Sequence, residues 1–147
     1  MACDAPHQEW TVFTRMDTTS TRGLLVFCLG INPAGKIRGR VSELPIDDDG
    51  NVVGDPIPLG KVKGHQDPTE DPSVFVMTLD FRWGGSRVIM AGTRFQSNTP
   101  NTFAGRFTAF SSAGLAAAAG GHTSITTIVT PQAPGDGDTG TATGTQT

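Results

Sequence analysis

The segment from Ser73 to Trp83 alternates strictly. Phe75, Met77, Leu79, Phe81 and Trp83 fall on one side, and Val74, Val76, Thr78, Asp80 and Arg82 on the other. A period of two is what a β-strand with one buried face requires, because successive side chains point to opposite sides of the pleat. Gly84-Gly85 follows as a tight turn. A second strand is predicted from about Arg87 to Gln96, and a third from Thr102 to Ser111, carrying Phe103, Phe107 and Phe110. Between these two, Ser97-Asn98-Thr99-Pro100-Asn101 has turn chemistry. The three strands read as a meander of antiparallel neighbours.

The rest of the chain suits the same plan. Its 147 residues include 19 Gly and 10 Pro, and so many backbone breaks favour short strands over long helices. Strands are predicted at Glu9–Met16, Gly23–Ile31 and Lys36–Leu44. The last ends in the acidic hairpin turn Asp47-Asp48-Asp49-Gly50-Asn51, and Asn51–Gly54 and Ile57–Gly64 continue it. His65–Pro72 reads as a polar loop and His122–Val129 as a final strand. Ser111–Ala119 is alanine-rich but flanked by glycine, which suits one helical turn or a loop. The fold class is therefore all-β: an antiparallel closed β-barrel of about eight strands with a ligand-sized apolar lumen, a β-sandwich being the competitor. The expected organisation is a flexible N-terminus over 1–8, a barrel domain over 9–130 and a disordered Gly/Thr/Pro-rich tail over 131–147. That tail has no large apolar side chain to offset its ordering entropy.

Charge and composition exclude several classes. A formal charge of -3 argues against a nucleic-acid binder that works by phosphate neutralisation. No apolar run approaches the ~20 residues of a membrane span. The first residues have no basic or apolar leader, so the cytoplasm is the default location. In that compartment Cys28, inside the run Leu24–Leu29, reads as a buried small hydrophobe and Cys3 as part of a frayed end; a bridge between them is not expected.

Most motif matches fail on their chemistry. Gly54–Val62 has one spacer too many for a phosphate loop, and Val62 stands where a hydroxyl would hold magnesium. Around Gly50 a calcium loop would need ligands at Pro45 and Pro56. His7, His65 and His122 lack partners at metal-binding spacing, so no metal and no cofactor is expected. No serine sits in a nucleophile elbow. More informative are charges inside strands. Arg40, Glu43, Asp80, Arg94 and Arg106 are solvated if they face outward; inside a barrel they must be paired, and an Arg or Glu there could grip an acidic or enolic group. The aromatic residues are eight Phe, two Trp and no Tyr, concentrated in the meander. They pack a core or line an apolar cavity.

The stretch Glu43-Leu44-Pro45-Ile46-Asp47-Asp48-Asp49-Gly50-Asn51-Val52-Val53-Gly54 resembles the acidic turn of the allene oxide cyclase/dirigent β-barrel superfamily. The order of features that follow is also similar: glycines at Gly60 and Gly64, the Ser73–Trp83 strand, a Gly-Gly turn, Met90-Ala91-Gly92, and a Gly-rich stretch at Gly114–Gly121. Within that superfamily the small bacterial natural-product cyclases, including spirotetronate-type Diels–Alderases, fit best. The usual Gly-x-Tyr-x-Gly is absent here, as are lumen tyrosines. The resemblance implies lumen positions at Met77, Gln96, Phe107, Ile125 and Thr127, with Phe95 replacing Gln96 if the register slips by one. Faces shared with these add Phe75, Leu79, Met90 and Phe103 as substrate-binding candidates.

Three functions follow as expectations. In the first, a cofactor-free cyclase folds a linear polyene of polyketide biosynthesis for intramolecular [4+2] (Diels–Alder) closure. Pre-orientation supplies up to roughly 7–11 kcal/mol, and Arg94, Gln96 or Arg40 acts as a polarising donor rather than an acid or base. In the second, the barrel binds a hydrophobic, polyketide-like small molecule without turnover. In the third, the chain is a structural or interaction protein. The first two need a hollow; the third predicts a filled core and no pocket above about 300 Å³. Partners are expected to exclude nucleic acid and membrane. A homodimer is implied by the resemblance alone.

Overall fold

A computed structural model describes residue 3 and residues 7–96, 99–111 and 130–147. Eight strands run β1 (Gln8–Met16), β2 (Arg22–Ile31), β3 (Lys36–Glu43), β4 (Ile57–Pro68), β5 (Val74–Trp83), β6 (Ser86–Phe95), β7 (Thr102–Ser111) and β8 (Thr139–Gln146). Each pairs antiparallel with the next, and β8 pairs back onto β1, so the sheet closes as the sequence predicts. Closure removes both free edges. Among the described residues there is no helix, and so none long and apolar enough to cross a membrane.

The meander forms in the expected register. Leu79 lies opposite Met90, and Met90 opposite Phe107. Met77, Leu79, Phe81 and Trp83 are buried while Val76 and Arg82 are exposed, as the alternation dictates. Between β3 and β4 the acidic turn closes on itself: Asp47 Oδ1 accepts from the backbone N–H of Asp49 and Asn51. Between Val41 and Ser42 of β3 the register with β4 slips by one residue, the extra residue being Leu59, beside Gly60 at φ 108°.

Four expectations need correction. The segment 131–147 is not a disordered tail. Thr139–Gln146 is the strand that closes the barrel, and 130–134 folds over one end, where Pro134 O accepts from Ser86 Oγ. The barrel therefore extends well past residue 130. Asn51–Gly54 adds only the single bridge Ile46–Val52, and the first part of His65–Pro72 continues β4 instead of looping. Cys3 and Cys28 form a disulfide, which fastens the N-terminal segment to the outer wall at β2. The strand expected at His122–Val129, the Gly-rich stretch Gly114–Gly121 and all but the first residue of Ser111–Ala119 lie outside the described residues.

The interior is apolar, and the chain's own side chains fill it. Phe27, Leu29, Trp83, Val88 and Met90 are 0% exposed, and Leu79 and Phe107 1%. Large residues face glycine across the strands. A Cβ on Gly140 would lie 2.5 Å from the Phe107 ring, and one on Gly23 would lie 2.8 Å from the Trp83 ring. Phe27 and Phe81 meet edge to face at 5.2 Å, and Trp83 lies 6.4 Å from both Phe81 and Phe107. Such surfaces have no water-sized gap between them. Among these residues, the expected guest-sized lumen is replaced by a solid core.

Candidate functional site

Two ionisable groups interrupt this core, one near each end. Glu43, the last residue of β3, is 0% exposed. Its Oε1 accepts a 2.6 Å hydrogen bond from Trp83 Nε1, and Oε2 has no partner. Burial pushes its carboxyl up, partly offset by the Trp83 bond and by a backbone bond from Gln132. Gln132 braces this end, accepting from the Leu24 N–H and donating to Leu44 O.

At the other end Arg94 on β6 points inward and is 3% exposed. It donates from Nη1 to Gln66 Oε1 at 2.8 Å and from Nη2 to Gln146 Oε1 at 3.5 Å. Its guanidinium sits 5.3 Å over the Trp10 ring. Nε has no partner, and burial lowers the pKa of the group. Neutral acceptors and a π-face, not a carboxylate, hold this cation.

The other predicted site residues divide. Met77, Leu79, Met90, Phe103 and Phe107 lie in the core, and Phe75 is half-buried at the Arg94 end. Arg40, a candidate interior donor, is on the outer wall, exposed. Gln96 lies past the end of β6 and is exposed, and Phe95 faces outward, half-buried. Only Arg94 of the three candidate donors is therefore inside; alternation along β3 and the end of β6 displaces the other two. Ile125 and Thr127 lie outside the described residues. Glu43 was noted in the sequence as a lone strand charge, but its burial depends on a pairing partner, Trp83, forty residues away in the chain.

A large concavity lies outside the barrel. A groove of about 1350 Å³ crosses the outer wall from β2 to β6, with Cys3 and His7 among its lining residues. Alternation sends Arg38, Arg40, Lys61, Lys63, Arg82 and Arg87 into it. These are six of the 11 Lys and Arg residues of a chain with net charge -3. Arg38 is directly opposite Lys63, Arg40 opposite Lys61, and Arg82 opposite Arg87. Directly opposed like charges destabilise a sheet, by up to about 1 kcal/mol a pair. Among the described residues, the one carboxylate lining the groove is Asp80. It is engaged by Arg87 through bonds of 2.6 and 3.0 Å, and its pKa is lowered chiefly by those bonds, with Lys63 and Arg82 adding to the effect. Among the described residues the other five cations make no ion pair.

A smaller hollow of about 380 Å³ lies beside exposed Phe13, between Arg22 and the acidic turn at Asp49 and Gly50. Among the described residues no cluster of His, Cys, Asp or Glu is arranged to hold a metal. No family model, no curated protein and no solved structure matches this chain.

Proposed function

We propose that this chain is a binding protein that works from the outer wall of its barrel, and that its ligand is anionic. The observation carrying this reading is the stack of three like-charged cross-strand pairs in one groove. Opposing like charges cost fold stability, and among the described residues only Arg87 is engaged by a carboxylate, Asp80; an anion laid across the rest would turn mutual repulsion into shared attraction. The close packing of the described core side chains supports the same reading, since it favours the wall as the place to bind.

A phosphocellulose column at pH 7 and low salt tests it. A protein of net charge -3 with evenly spread charge passes through; this one is retained, and the double variant Arg40→Gln/Lys61→Gln is not. The variant Arg15→Gln/Arg106→Gln, which removes two cations elsewhere on the wall, is retained like the parent. Flow-through of the unmodified protein would overturn the proposal.

The two buried ionisable groups favour a second reading, the cofactor-free cyclase that the motif resemblance implies. There Glu43 in its protonated form, or Arg94 at the opposite end, would donate a hydrogen bond to a carbonyl of a linear polyene as charge develops on it. Met77 and Met90, the most adaptable side chains of the core, would have to yield space to the guest. Incubation with a linear polyene tetronate or tetramate, followed by product analysis, tests this; identical conversion with and without protein counts against it.

A further inference from the structure

We infer that the anionic ligand of the outer groove is a linear sulfated polysaccharide. This inference rests on the anionic-ligand reading above and narrows it.

The cations form a grid, not a single pocket. Arg38 and Arg40 stand on one strand and Lys61 and Lys63 on its neighbour, in direct register. Alternate residues along a strand are about 7 Å apart, and directly opposed side chains about 5 Å. Arg82 and Arg87 extend the grid across β5 and β6. One phosphate or carboxylate would satisfy one corner and leave the rest repelling one another. A chain bearing an anionic group every few ångströms satisfies the whole grid. Arginine supplies planar forks for oxyanions and lysine mobile point charges, a mixture suited to regularly spaced sulfates.

The lining selects among polyanions. Nucleic-acid strands bind sequence-tolerant grooves through bases stacked on aromatic rings as well as through phosphates. Here the one Phe among the lining residues, Phe81, points into the core at 2% exposure. The exposed large hydrophobics Phe13, Val52, Val53, Val76 and Phe110 are all outside the groove, so an anionic membrane surface would find charge there without a large exposed apolar side chain to insert. The Cys3–Cys28 disulfide lies in the groove lining itself. Such bonds persist in oxidising compartments, the extracellular space among them.

The experiment uses the intact, oxidised chain and three probes: a fluorescent heparin-derived oligosaccharide, a single-stranded oligonucleotide of equal charge, and phosphatidylserine-containing vesicles. The heparin oligosaccharide is expected to bind at least tenfold tighter than the oligonucleotide, and to weaken at least about tenfold between 50 and 200 mM salt as counterions compete. Arg40→Gln/Lys61→Gln is expected to lose at least tenfold in heparin affinity with a Tm equal to or above that of the parent, because a like-charge pair is removed. Arg15→Gln/Arg106→Gln is expected to bind as the parent does. Oligonucleotide or vesicle binding equal to or tighter than heparin binding would overturn the polysaccharide assignment and leave the anionic-ligand reading standing. Binding to none of the three would overturn both. A variant with lower Tm and lower affinity is replaced by Arg38→Gln/Lys63→Gln, whose undiminished heparin affinity in a folded protein would overturn the assignment.

Discussion

Trp83 donates its indole N–H to Glu43 across 2.6 Å inside a predominantly apolar core. The bond satisfies one carboxyl oxygen and leaves the other without a partner. A charged carboxylate in that position carries a desolvation cost that the Trp83 indole and the Gln132 backbone N–H do not offset, which is why burial dominates the shift of its pKa.

The pH dependence follows from that shift. Below the ordinary carboxylate value of 4.5, Glu43 is protonated whether the chain is folded or not. As pH rises, the unfolded chain loses the proton first, so the folded state binds more protons and its stability falls until the raised pKa is passed. Glu43→Gln keeps the shape and an acceptor for Trp83 but cannot ionise. It should unfold at higher urea than the parent at pH 7, by about 1–3 kcal/mol, and the gap should close near pH 4. A variant less stable than the parent at pH 7 would mean that the carboxylate is held by more than Trp83 and Gln132.

Arg94 offers a thermodynamic cycle. Gln66→Leu leaves a buried guanidinium without its 2.8 Å acceptor, at a cost of about 2–4 kcal/mol. Arg94→Met keeps an unbranched stem against Trp10 and removes the charge. The double variant should recover much of the single Gln66→Leu loss, giving a coupling of at least about 1 kcal/mol in urea denaturation. Additive losses would mean that the two side chains do not depend on each other.

Gly23 is where the Trp83 ring is seated. A Cβ there would lie 2.5 Å from Thr14 Oγ1 and 2.8 Å from the Trp83 ring. Gly23→Ala should therefore cost about 1–3 kcal/mol through overpacking and shift the tryptophan fluorescence. Gly85→Ala, whose Cβ would meet nothing within 4 Å, should stay within about 0.5 kcal/mol of the parent. Equal stability of the two variants would show that the indole is not packed against Gly23.

The fold was largely legible because alternation is local: Ser73–Trp83 reveals its inward face without reference to any partner. What could not be read locally was how much space the inward side chains leave. Whether Phe107 lines a hollow or fills it depends on Gly140 facing it from a strand over thirty residues away. The groove was hidden differently. A net charge of -3 averages over the whole chain, while Arg38, Arg40, Lys61 and Lys63 owe their concentration to strand parity and to the β3–β4 register. The outward parity of those four was readable; their pairing was not. Cys3–Cys28 was missed because the compartment was assumed before the geometry was known.

The C-terminal strand went unread because its inner face is Gly140, Ala142 and Gly144, residues chosen for smallness, since the rings of Phe107 and side chain of Phe103 already occupy that side. Its signal was the outward row Thr139, Thr141, Thr143 and Thr145, β-branched at every second position. A chain ending at Asp138 loses the hydrogen-bonding partner of β1 from Trp10 to Met16 and of β7 from Thr102 to Thr108. Two strand edges open, and the buried Trp10, Phe103 and Phe107 meet water. That truncated chain should unfold without a cooperative transition and bind an apolar dye such as anilinonaphthalene sulfonate, whereas a chain ending at Gln146 should melt like the full-length protein. A sharp transition at the parental Tm in the shorter chain would show that β8 is a passenger on an already complete sheet.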